Sequence, residues 1–257
     1  MTEPLQLIGV IGLRTWRKTL RRPVGLTFSL VQPILWILLF GFLFTRFDVG
    51  PTARGLRYLD FLVPGVCAMT VLFGASQSGI GLIRDLQTGF LLRMIRSPAN
   101  PVVILSGKIV ADVIRLQVQA LVIMILGWML GAKLHLSLET VLVSLLALGL
   151  FAIALSSLSC AIALRTGAQE SMAAFVHLVN MPLLFTSSAL VPVRQMPGWL
   201  AAIARYNPLT LAVEVCRDAL LFGEFPTLMA SVGWLSLFAV GLFAMACWAM
   251  REPTGSP

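Results

Sequence analysis

Residues 84–101, RDLQTGFLLRMIRSPANP, stand between two long uncharged hydrophobic runs. At 100° per residue Leu86, Phe90, Leu91, Met94 and Ile95 gather on one half of a helix, and Asp85, Arg93 and Arg96 on the other. Such a helix is too short and too charged to cross a bilayer, yet its apolar face must be covered by something. The flanking runs, 61–83 and about 102–130, each have the length needed to cross about 30 Å of hydrocarbon.

Working outward, the same rule marks 24–44, 140–164, 171–190 and 226–250. Composition agrees, because 58% hydrophobic residues, 12% charged residues and a mean hydropathy of +0.91 give more apolar surface than one soluble core can hide. The expected fold is an all-α integral membrane domain over 1–257. It has six transmembrane helices, an interfacial helix at 1–22, the amphipathic helix at 84–101 and a re-entrant segment at 192–225. The net charge of +8 does not point to nucleic acid, since the basic residues are spread along the chain without an aromatic-interleaved patch. Cys67, Cys160, Cys216 and Cys247 are too scattered for a zinc motif, and no metal site is expected.

Six spans put both ends on one side. Arg14, Arg17, Lys18, Arg21 and Arg22 precede the first run, so the positive-inside rule places both termini, and residues 84–101, in the cytoplasm of a cell whose inner (plasma) membrane holds the chain. The basic cluster lies too far from the start, and the run after it is too long, for a cleaved signal peptide. Leu13, Trp16 and Leu20 face away from Arg14, Arg17 and Arg21, as in a helix lying among lipid headgroups.

Residues 192–225, PVRQMPGWLAAIARYNPLTLAVEVCRDALLFGEF, are too polar for a span and too apolar for a solvated loop. Pro197 and Pro208 each open a helical stretch, at about 199–206 and 209–222. Backbone of this kind at membrane depth has to be covered by protein or line a cavity. Trp199, Asn207, Glu214 and Arg217 are the candidates here for a gate or substrate path, with a local ion-pair cluster of Glu214, Arg217 and Asp218 as the plainer alternative. Within the spans the polar candidates are Asp112, Arg115, His177 and Asn180. Lys108, Asp112 and Arg115 share one helix face and can pair along it near a membrane boundary. His177 and Asn180 are read first as helix-packing groups.

The chain shows no catalytic constellation: there is no HExxH, no GxSxG and no Walker A, for Gly107-Lys108 is followed by Ile109 and preceded by Val102 where Gly is required. Transport is the leading class. An ion-coupled secondary transporter or channel is the alternative, with His177 and Asp112 as its ionisable groups, although the two halves show no repeat.

FLVPG at 61–65, SGIGLIRDLQTGFLLRMIRSPANP at 78–101 and QMPGWLAAIARYNPLTLAVEVCRDALLFGE at 195–224 resemble the ABC-2 type permease family, and within it the daunorubicin-resistance-like membrane subunits. That resemblance implies an exporter subunit for an amphipathic drug, lipid or glycan. It implies no cofactor in this chain, with ATP and magnesium in a separate ABC ATPase subunit, and a dimer with a second permease copy or a paralogue among membrane lipids. It also makes 84–101 the coupling helix, so that Phe90, Leu91, Arg93, Met94, Ile95 and Arg96 contact the ATPase, and it makes 199–222 the closure of the outer end. Gln87 stands where many relatives carry a second acid after Asp85.

Overall fold

The computed structural model describes residues 23–44, 56–90, 100–226 and 228–251. Every regular element among them is helical: α1 (Pro23–Leu43), α2 (Tyr58–Gln87), α3 (Pro101–Met129), α4 (Leu138–Thr166), α5 (Gln169–Phe185), α6 (Gly198–Tyr206), α7 (Pro208–Arg217) and α8 (Leu228–Arg251). A short 3₁₀ turn (Val193–Gln195) precedes α6, and a π-helical turn (Asp218–Phe222) extends α7. The expected interfacial helix at 1–22 lies outside the described residues.

The ends follow local chemistry. Asn100 caps α3 by accepting the Val102 N–H at 2.9 Å, with Pro101 in the first turn where a missing donor costs nothing. Ser137 caps α4 in the same manner, and Gly167 ends it in the left-handed conformation at φ 64°.

Among the described residues four helices, Tyr58–Gln87, Pro101–Met129, Leu138–Thr166 and Leu228–Met250, are long and apolar enough to cross a membrane. The fifth expected span differs. Instead of running through 171–190, α5 stops at Phe185, and the Thr186 and Ser187 hydroxyls bond the Pro182 and Leu184 carbonyls at 2.7 Å each. Residues 186–191 then turn into the bundle, where Ser187, Ser188 and Ala189 are buried. At 17 residues α5 is about 25 Å long, short of a full hydrocarbon thickness.

α2 is the axial helix, buried along most of its length and packed on α1, α3, α4, α5 and α7, whereas α8 rests mainly on α4 and turns Leu237 and Val240 outward. Close approach is made by glycine. A Cβ on Gly65 would lie 2.2 Å from the Ala189 carbonyl oxygen, and one on Gly79 would lie 2.5 Å from that of Ser159. At the second contact the Ser159 hydroxyl donates to the Ser76 carbonyl at 2.7 Å and accepts the Gly79 N–H at 2.9 Å, joining α4 to the α2 backbone.

The helices are offset along the bundle axis. Ser29, about 9 Å along α1, receives a hydrogen bond from Gln119, about 27 Å along α3. Gly41 of α1 faces Leu59 at the start of α2. Relative to Pro23, where the described part of α1 begins, α2 and α3 therefore reach roughly 15–18 Å further toward the 88–100 connection. The ends of α4, α5 and α8 accompany them: Leu82, Ile83, Ile104 and Leu105 are buried against Cys160, Leu164, Met172 and Met250, and Gln169 at the start of α5 donates to Gln87 at 2.9 Å, so this stalk is built from five helices.

Candidate functional site

Two polar assemblies lie at different levels of this bundle. The first seals the end remote from the stalk. Asn207 caps α7 by accepting the Leu209 N–H at 2.8 Å, and its amide nitrogen donates to the Leu183 carbonyl at 2.8 Å and the Thr186 hydroxyl at 2.9 Å. Three residues on, Thr210 accepts the Ser188 N–H at 3.1 Å. Arg217 lies further along the same face of α7 and is buried. Its guanidinium donates to the carbonyls of Ser188 at 2.7 Å, Ala189 at 3.1 Å and Phe61 at 3.3 Å, and stacks 3.5 Å above the Phe61 ring. Asn207, Thr210 and Arg217 thus bond the last turn of α5 and the buried 187–189 backbone behind it.

Arg217 directs most of its hydrogen bonds to main-chain oxygens, and its Nη1 also donates to the Ser188 hydroxyl at 3.4 Å. Glu214 is half-buried, and burial pushes its carboxyl above the usual range, with Arg217 pulling the other way. Trp199 is 69% exposed on α6, in one stripe with Ile203 and Tyr206. Asp60, which the sequence reading did not single out, completes this end. Its buried carboxylate accepts the N–H groups of Arg57 and Lys133 at 2.7 Å each, tying the start of α2 to the turn after α3. A lone acid just ahead of FLVPG was the available signal.

The second assembly lies at the base of the stalk. Lys108 donates to Asp112 at 2.8 Å, Arg115 approaches the other carboxylate oxygen at 3.9 Å, and the Arg115 guanidinium also reaches the Gly74 carbonyl at 3.2 Å. Ser78 of α2 donates to Asp112, receives a bond from Lys108 at 3.2 Å, and touches the Cys160 sulfur of α4 at 3.5 Å. The expected pairing along α3 is present, with Ser78 added from across the helix crossing.

Asn180 and His177 part company. Asn180 is fully buried and its Oδ1 accepts the Ser76 hydroxyl at 2.8 Å, while His177 lies on the exposed face of α5 beside Leu178. The structure does not bring His177 to Asp112, whose partners are Lys108, Ser78 and Arg115. Of the expected ATPase-contact residues, Phe90 stands half-buried at the foot of α2, and Leu91, Arg93, Met94, Ile95 and Arg96 lie outside the described residues. No group of three or more His, Cys, Asp or Glu side chains able to hold a metal occurs among the described residues.

Comparison with known proteins decides the family: the model described as ABC-2 type transporter matches residues 6–221. The chain belongs to the ABC-2 type transporter family. This ABC-2 chain is 32% identical over 243 residues to a transport permease, ycf38, of Cyanophora paradoxa, covering 94% of the chain and 81% of the relative. It is 29% identical to the daunorubicin resistance ABC transporter permease protein DrrB1 of Streptomyces coeruleorubidus, over 76% of this chain and 68% of that one. It is 26% identical to a doxorubicin resistance ABC transporter permease protein, DrrC, of Mycobacterium tuberculosis, over 87% and 78%. The ABC-2 chain is accordingly a multi-pass membrane permease of an ABC transporter.

Proposed function

We propose that this chain is the membrane-spanning subunit of an ATP-driven exporter that moves an amphipathic drug, lipid or glycan out of the cytoplasm, with ATP hydrolysed by a separate ABC ATPase subunit. The observation that carries this reading is that α2 and α3, packed together down to their ends, lead into a segment, 84–101, whose sequence makes one apolar helix face. A face of that kind joining the ends of two long helices suits a cleft on a soluble partner. Phe90, Leu91, Met94 and Ile95 supply its apolar contact, and Arg93 and Arg96 its rim. Resistance to daunorubicin and doxorubicin in the relatives' names supports amphipathic cargo.

In this reading all six apolar helices cross the inner membrane, α5 doing so together with the turn after it, and both termini are cytoplasmic. Two permease copies, or one copy and a paralogue, enclose the path among membrane lipids. The α6–α7 segment is the outer gate. Trp199 and Glu214 face the path, while Asn207 and Arg217 hold the gate closed. ATP binding in the partner moves the stalk, and the bundle shifts between two arrangements with no chemistry in this chain.

The test is co-purification in detergent with the candidate ATPase, where headgroups no longer contribute. Wild-type chain is expected to retain the ATPase, and Leu91→Glu or Met94→Glu to weaken retention about tenfold or more, because a carboxylate would enter the cleft unpaired. Full retention by both variants overturns the coupling assignment. Orientation is checked separately. In otherwise cysteine-free chain, Trp199→Cys is expected to react with a membrane-impermeant maleimide in intact cells, and Ser97→Cys only after lysis.

A further inference from the structure

The Lys108–Asp112–Ser78 assembly is not explained by stability alone. A buried ion pair is commonly matched in stability by well-packed apolar side chains. What it adds is direction. One carboxylate, of Asp112, is met by donors from two helices: Ser78 of α2, and Lys108 and Arg115 of α3. Arg115 carries the contact on to the α2 backbone at Gly74, and Lys108 carries it back to Ser78. Sliding α2 past α3 by one residue, about 1.5 Å, would break most of these bonds at once, whereas apolar packing would deform gradually.

Its position matters as much as its chemistry. Ser78 stands about 14 Å from the end of α2 and Asp112 about 17 Å from the start of α3, so both lie at one level, close to that of Pro23. The assembly therefore sits at the base of the stalk, directly above the apolar cluster of Leu82, Ile83, Ile104 and Leu105 with Leu164, Met172 and Met250. At the same level Ser159 of α4 is bonded into the α2 backbone at Ser76 and Gly79, and Cys160 of α4 touches Ser78. A displacement entering at the 88–100 connection crosses that apolar cluster, which can deform gradually, before it meets these directional bonds.

We propose that Asp112 is a positioning residue whose charge clamp makes α2 and α3 a single lever, carrying movement of the ATPase-facing connection to the rest of the permease without slip. The proposal rests on the export reading above.

The experiment uses the permease–ATPase complex in lipid nanodiscs, with an ATPase variant that binds ATP without hydrolysing it. Hydrogen exchange of the 186–191 turn and α7 is measured with and without ATP, together with ATPase retention and the melting temperature. Wild-type complex is expected to show faster exchange at this remote end when ATP is bound. Asp112→Asn is expected to keep the ATPase and cut that response at least fivefold. Lys108→Met with Asp112→Leu, which keeps packing without directional bonds, is expected to melt like wild type and also to respond weakly. This pair carries the test if Asp112→Asn does not fold. The transposed pair, Lys108→Asp with Asp112→Lys, is expected to regain the response to within twofold, and its failure to do so counts against the clamp. A wild-type response from the apolar pair, or from Asp112→Asn, overturns the inference and leaves the export reading standing. A wild-type complex that binds the ATPase but shows no response to ATP overturns both.

Discussion

Arg217→Met is expected to open the end of the bundle remote from the stalk while leaving the stalk intact. The substitution keeps much of the volume and the contact with Phe61, but it removes the donors that meet the Ser188, Ala189 and Phe61 carbonyls. The turn's carbonyls are buried in protein, so each loses a partner that water cannot replace, at about 1–3 kcal/mol apiece and about 2–5 kcal/mol together. Arg217→Lys should fall between, because one ammonium cannot reproduce a planar fork over two carbonyls and a ring. Cys216, fully buried beside it, gives the measurement. In a chain whose other cysteines are replaced by alanine, its reaction with maleimide in detergent is expected to be at least tenfold faster in the Met variant than with Arg217 in place. Equal rates would mean that Arg217 does not hold the turn.

Gly65→Ala is expected to lower stability by about 2–4 kcal/mol and Gly65→Val by more, measured as a fall in melting temperature of the purified chain. The added Cβ would meet backbone, the Ala189 oxygen at 2.2 Å and its carbonyl carbon at 3.0 Å, and no rotamer can relieve that. Either α2 or the turn must move by about an ångström, which would also strain the Tyr58 hydroxyl bond to the Leu190 carbonyl, now 3.1 Å. The control is Gly241→Ala in α8, where a Cβ would meet nothing within 4 Å. There the change should be neutral or slightly stabilising, since alanine loses less entropy in a helix. A fall of equal size at both positions would remove the packing explanation.

Much of this architecture could be read from the chain because its helices are marked by local signals. Uncharged runs located α2, α3, α4 and α8 to within a few residues, and Pro197 and Pro208 located α6 and α7. The i, i+4, i+7 spacing of Lys108, Asp112 and Arg115 gave their pairing. The places where the reading fell short depend on distant residues. Hydropathy continues through Leu184, Phe185, Ala189 and Leu190, so nothing nearby shows that α5 ends at Phe185. The turn is stable there because Arg217 and Thr210 supply its partners from well over a dozen residues away. Ser78 escaped notice for the same reason, being 34 positions from the carboxylate it meets. The fit of Gly65 and Gly79 on α2 against Ala189 on the turn and Ser159 on α4 was hidden in the same way.

The Arg217 bond to the Ser188 carbonyl also bears on biosynthesis. Those two residues are 29 positions apart, so when the turn emerges from the ribosome the arginine that will satisfy its carbonyls has yet to be made. Until α7 arrives, the turn has no covered place in hydrocarbon and must wait in contact with water or the insertion machinery. In the six-span arrangement proposed above, membrane entry of α5 is then provisional. Chains truncated between Ala189 and Arg217 should be left with α5 incompletely inserted, so that α7 decides whether the fifth helix stays.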